Sequence, residues 1–223
     1  MSVRAKGITV LLVLLIGIGG IGLMLGYPYF FIEQTSAFET DDIQSIQLTM
    51  HSSVIAIRTD PQATSISVMV GGKSQDVKNT KVNVNNAILS ITGVTHLARS
   101  IEVTVIIPEN VTLDYSIATH SGIMEISNLT CGSFTVTANS CQTNISNVNA
   151  SNLNIENDNG TVTVSKLYGG THSLKSDFGV LTITEATGRE LILESQFGKV
   201  IGRQLDYETI TPIGGSGGVM DIQ

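Results

Sequence analysis

The sequence predicts an all-β protein: a β-solenoid of about five 19-residue coils, preceded by a β-rich cap and one N-terminal transmembrane helix. Three observations carry that expectation. Gly122, Cys141, Gly160, Gly179, Gly198 and Gly217 stand 19 residues apart. Alternating pairs follow the first four of them, at Met124/Ile126, Thr143/Ile145, Val162/Val164 and Leu181/Ile183. Second pairs come ten residues later, at Phe134/Val136, Leu153/Ile155, His172/Leu174 and Leu191/Leu193. Finally, the run from Ile8 to Gly26 carries no charge. Residues two apart on a strand share a face, so each pair points into a coil and like positions of successive coils stack.

Taken from the N-terminus, residues 1–7 contain Arg4 and Lys6 and are expected in the cytoplasm. Residues 8–26 would span about 28 Å as a helix, close to the hydrocarbon thickness of a bilayer. Glu33, Glu39, Asp41 and Asp42 follow, with no basic residue before Arg58, so the bulk of the chain is expected outside. A cleaved signal peptide is the rival, but its best site, after Ala37, lies eleven residues beyond the apolar run. Residues 27–42 read as a tether, and 43–118 as a β-rich cap without the 19-residue period and without an amphipathic helix. Turn signals at Asp60-Pro61, Gly71-Gly72, Asn85-Asn86 and Pro108-Glu109-Asn110 divide the cap into strands. A solenoid needs such a cover over its first coil.

Residues 119–223 hold the repeats. The glycine column marks a corner that requires positive φ or close backbone approach. Cys141 in that column points to small size as the shared property. The last repeat slips by one residue: SGIMEIS at Ser121 is echoed by GGVMDIQ at Gly217, which turns Met220 and Ile222 inward.

The run IEVTVIIPENVTLDYSIATHSGIMEIS, Ile101 to Ser127, is followed by coils opening at Asn159-Gly160, Phe178-Gly179, Phe197-Gly198 and Ser216-Gly217. This pattern resembles the "putative adhesin" family of β-strand-repeat envelope proteins, which includes the head GIN domain group. The resemblance runs from about Val54 to the C-terminus. It implies a solenoid on the outer side of a membrane and carries over no catalytic residue. Cys141 in a glycine place, and Phe178 and Phe197 where serine is usual, depart from the pattern.

The formal charge is −7 over the whole chain, hence −7 − 2 = −9 once Arg4 and Lys6 are set aside. The remaining basic residues are scattered and form no stripe, which excludes nucleic acid as a partner. Two residues before each glycine stand His120, Asn139, Asp158, Asp177 and Gln196. Coil stacking would bring Asp158 and Asp177 to about 5 Å, as paired carboxylates or a shared cation site; the plainer reading is a corner of turn-satisfying amides and carboxylates. Lys175 beside Asp177 dilutes the acidity. Phe178 and Phe197 should stack on adjacent coils, as a sugar or protein contact or as corner packing. Asn139, Asp158, Asp177, Phe178 and Phe197 are therefore the binding candidates. The four histidines lack metal-ligand spacing, and no catalytic set, metal or cofactor is expected. Cys131 and Cys141 fall on different corners roughly 17 Å apart, too far for a disulfide.

The function expected from these residues is a non-enzymatic, membrane-anchored extracytoplasmic solenoid serving as a surface, adhesion or envelope scaffold protein. Its partners would be the membrane, through Ile8 to Gly26, and a cell-envelope polymer or surface protein. Two alternatives stay open: a carbohydrate-active β-helix enzyme using Asp158 and Asp177, and a self-assembling envelope protein whose terminal strand edge carries Asp221 as a discouraging charge.

Overall fold

The computed structural model describes residues 31–93, 101–215 and 217–223. Strands dominate: β1 (Phe31–Phe38), β2 (Ser45–Asp60), β3 (Ile66–Lys73), β4 (Lys81–Asn85), β5 (Ile88–Gly93), β6 (Ile101–Pro108), β7 (Asp114–Ser195), β8 (Lys199–Gly214) and β9 (Val219–Ile222). One short helix, α1 (Ser74–Asn79), and a 3-10 turn at Thr40–Asp42 complete it. β7 is a single 82-residue path that winds through successive coils.

The winding obeys the repeat. β8 runs parallel to the end of β7 with Leu181 beside Val200 and Leu191 beside Ile210, a 19-residue step. β9 adds to β8 with Val200 beside Met220 and Gly202 beside Ile222, a step of 20, so the one-residue slip is real. Met220 and Ile222 pack against the core. The inward columns are buried throughout β7, among them Met124, Ile126, Val162, Val164, Leu181 and Ile183. Apolar area removed from water in this way is the main favourable term, and only the stack can remove it.

The glycine column is held by sterics as much as by dihedral freedom. φ is +136° at Gly122 and +123° at Gly160, but not positive at Gly179 or Gly198. At all four, however, a Cβ would collide with the carbonyl oxygen of the residue one coil earlier: Ser53, Cys141, Gly160 and Gly179, in that order. These glycines therefore line up along one edge, each seated on its predecessor. A second corner recurs at the same period and was not foreseen. Asn128, Asn147, Lys166, Glu185 and Gln204 all adopt left-handed φ between 53° and 58°. Asn147 donates to the Asn128 side chain at 2.8 Å, so the amide ladder sits here.

At its N-terminal side the expected fold needs correction. A transmembrane helix is not part of the described fold: among the described residues no helix is long and apolar enough to cross a membrane, and residues 8–26 lie outside them. That expectation rested on the uncharged run and the charges that flank it, with no structural partner to test it. Part of the expected tether, Phe31–Phe38, is strand β1, antiparallel to β3. α1 stands where no helix was expected. It buries only Val77, too little to write a helical period. The coil stack also reaches further upstream than the 19-residue period does. β2 runs parallel to the first coil of β7, with Ile55 beside Met124, and on its other side parallel to β5 and β6. β4 closes β5 and β3 closes β6, both antiparallel, which covers the first coil.

One buried histidine is satisfied across the coils. His172 replaces the leucine of its column and is fully buried. Its Nε2–H donates to the Ala150 carbonyl at 3.2 Å, and its Nδ1 accepts from the Tyr207 hydroxyl at 2.7 Å. Tyr207 lies edge-on to the imidazole at 5.6 Å between centroids. Its ring leaves no room for a Cβ on Gly188.

Gly179→Ala should therefore destabilise the protein by about 3 kcal/mol, while Gly71→Ala, whose Cβ would meet open space, should stay within about 0.5 kcal/mol. Urea unfolding of both variants checks the contrast. Burial lowers the His172 pKa from its ordinary 6.5. The unfolded chain then takes up a proton that the folded chain refuses, so this contribution to stability is complete above about pH 6.5 and is lost as pH falls below it. Thermal midpoints at pH 7 and pH 5 should drop further for the wild type than for His172→Leu; equal drops would refute the assignment.

Candidate functional site

The glycine edge leaves a floor of bare backbone between two rows of outward side chains. One row, immediately before the glycines, is Ser121, Ser140, Asn159, Phe178 and Phe197; the other, immediately after, is Ile123, Gln142, Thr161, Val180 and Lys199. Between them runs a shallow open groove of about 290 Å³, with Gly122, Cys141 and Gly160 as its floor and Ser140, Asn159, Gln142 and Thr161 among its walls. β2 extends the edge by one coil. Ser121 Oγ and Ser52 Oγ lie 3.1 Å apart, and His51 and His120 stack with ring centroids at 5.0 Å and planes 4° apart.

The five candidates from the sequence all stand on this edge. Phe178 and Phe197 are 58% and 53% exposed and stack on each other at 5.1 Å, with an interplanar angle of 11°. On its other side Phe197 lies so close to Gly217 that a Cβ there would overlap its ring. Asn139 and Asp158 are exposed and Asp177 is half-buried. Lys175 lies 3.9 Å from Asp177 and 3.3 Å from Glu194. Its pKa is raised by the hydrogen bond to Glu194 and the nearby charge of Asp177. One carboxylate of the acidic pair is thus already engaged by a cation. Among the described residues no group of three or more His, Cys, Asp or Glu is placed to hold a metal.

Turn satisfaction, which the sequence assigns to the outward column containing Asn139 and Asp158, is carried at two levels by the inward residue beside that column, Asn157 and Ser195. Buried Asn157 accepts from the Cys141 amide at 3.3 Å and donates to the Cys141 carbonyl at 3.1 Å. Ser195 Oγ accepts from the Gly198 amide at 3.0 Å. The signal was the inward column Ala138, Asn157, Ser176, Ser195, where polar residues replace an apolar one. The groove walls were missed too, because Ser, Asn, Gln and Thr on a β chain read as an ordinary wet face.

Both cysteines are buried and free. Burial pushes Cys131 up to about 12 and Cys141 up to about 11, so neither is a reactive thiol. At the C-terminal end, Asp221 is held by Arg203 at 2.6 Å, and the same guanidinium reaches the carbonyls of Gly202 and Asp221. The guanidinium hydrogen bond depresses the Asp221 pKa. Asp221 therefore pins β9 in place. Beyond the span that β9 covers, the edge of β8 contains Pro212, which has no N–H to offer a further strand.

Exposed ion pairs contribute little, so Asp158→Asn/Asp177→Asn should unfold within about 1 kcal/mol of the wild type. A larger shift in a urea titration would show that the carboxylate column is structural.

The family model Toastrack DUF4097 matches residues 43–203. Among solved structures, a "putative adhesin" from Bacteroides fragilis superposes with a TM-score of 0.52 at 11% identity, over 87% of this chain and 97% of that one. A "putative cell adhesion protein" from Clostridium sporogenes gives a TM-score of 0.48 at 11% identity, over 86% of this chain and 99% of that one. No curated protein matches the chain in sequence.

Proposed function

Given that the chain belongs to the Toastrack DUF4097 family, we propose that it is a non-enzymatic surface protein of the cell envelope, a rigid adhesion scaffold that makes contact through its glycine edge. The observation that carries this reading is the exposed, mutually stacked pair Phe178 and Phe197. Large apolar side chains grouped on a surface mark contact sites, and here Val180 and Val219, 37% and 58% exposed, add to the same end of the molecule. The description of the Bacteroides fragilis protein as a "putative adhesin" is in line with it.

A scaffold role follows from how the edge is built. From Ser121 to Phe178 the outward side chains stand on β7, at a spacing of about 4.8 Å from their equivalents, and Phe197, in the bend between β7 and β8, is tied back by its amide to the Asp177 carbonyl at 2.9 Å. A partner that meets such a preset array loses little ordering entropy on binding. The acidic balance of the chain suits an extracytoplasmic position, with residues 31–223 outside the cell. A cell-envelope polymer or a surface protein is the class of partner.

Full-length protein should sediment with isolated envelope fractions, and Phe178→Ala/Phe197→Ala should weaken that association by about tenfold or more without changing the thermal midpoint. Sedimentation indifferent to the double substitution would remove the glycine edge as the contact surface.

A further inference from the structure

We propose that the glycine edge binds a neutral, linear glycan laid along the coil axis, with one sugar ring stacked on Phe178; this rests on the edge being the contact surface. The two phenylalanines are not equivalent. Phe197, 53% exposed against 58% for Phe178, has Gly217 beside its ring as well as Phe178, whereas Phe178, among the described residues, has only Phe197 stacked on it. Phe178 follows Asn159 by one coil in the same row, so its exposed ring stands just beyond the groove whose sides carry Ser140, Asn159, Gln142 and Thr161. An aromatic face beside hydroxyls and amides matches the two sides of a sugar, an apolar C–H face and a hydroxyl rim.

Spacing and charge select the occupant further. Two donor and acceptor pairs, Ser140/Gln142 and Asn159/Thr161, stand on successive coils about 4.8 Å apart, close to the rise per residue of an extended polysaccharide. The glycine floor lets a chain approach the backbone itself. Charges near the Phe end are the carboxylates of Asp158, Asp177 and Glu194 and the ammonium groups of Lys199 and of Lys175, which spans two of the carboxylates, a balance of −3 + 2 = −1. Such a balance offers no attraction to an anionic polymer or an anionic lipid surface. The groove walls named above carry no charge, which favours a neutral ligand.

The test uses full-length protein and a panel of neutral linear hexasaccharides of glucose, N-acetylglucosamine, mannose and xylose, with an oligogalacturonate and phosphatidylglycerol vesicles as anionic probes. Calorimetric titration should show binding to at least one neutral hexamer, stronger than to its dimer. Phe178→Ala should weaken it by about tenfold or more and Phe197→Ala by about threefold or less, with Asn159→Ala in between. All three positions are exposed, and unchanged thermal midpoints confirm that the variants fold. Equal losses from the two phenylalanines, tighter binding of an anionic probe, or no binding to any neutral hexamer would overturn the proposal. If envelope sedimentation still depends on the phenylalanines in that last case, and is abolished by protease treatment of the envelope, the contact surface stands and its partner is a protein.

Discussion

The constraint on which the rest of the structure depends is the closeness of one coil to the next along the glycine edge. A Cβ at Gly122, Gly160, Gly179 or Gly198 would strike the carbonyl oxygen below it, so the column is reserved for residues with no side chain. Cys141 is the instructive exception. It carries a side chain that is buried, and the buried amide of Asn157 brackets its backbone from the following coil. The same closeness that forbids side chains on the edge leaves a floor between two rows of them, and this is how a packing rule becomes a surface feature.

Inside the stack, the same geometry forces polar residues to find partners along the coil axis. His172 reaches back to Ala150 and forward to Tyr207, so one imidazole bridges three coils. The ends are treated differently. Antiparallel strands β4 and β3 close strands β5 and β6 at one end. The last coil is closed over only four positions by β9, held by the Arg203–Asp221 pair. Leu205, Tyr207 and Ile210 on the remainder of β8 are only partly buried, and Pro212 interrupts the edge there.

Much of this was legible because a solenoid writes its contacts into the sequence at a constant offset. The inward columns through Met124, Ile126, Phe134 and Val136 could be named before their neighbours were seen. The place of β2 in the stack escaped because its partner on β7 lies 69 residues away, as at Ile55 and Met124, and a single long step has no period to detect. β1 escaped because its pairing with β3 is a backbone matter, and FIEQTSAF shows no clean alternation. The left-handed corner escaped for another reason. Of Asn128, Asn147, Lys166, Glu185 and Gln204, only the asparagines favour that conformation by themselves, and the stack imposes it on the rest. At the candidate site the sequence named the right corner but divided the labour wrongly, assigning turn chemistry to Asn139 and Asp158 when the inward Asn157 and Ser195 perform it.

That division bears on function. When turn groups are satisfied from inside, the outward residues of the same corner have no structural duty, and their identity is free to follow a ligand. The serine, asparagine and phenylalanine row from Ser121 to Phe197 changes from polar to aromatic along its length, while the glycine column beside it stays almost constant. Packing explains the constant column and gives no reason for two exposed phenylalanines at adjacent levels. Solvent exposure of both rings is unfavourable in isolation, so their presence on a framework that tolerates serine in the same place is best accounted for by something that covers them.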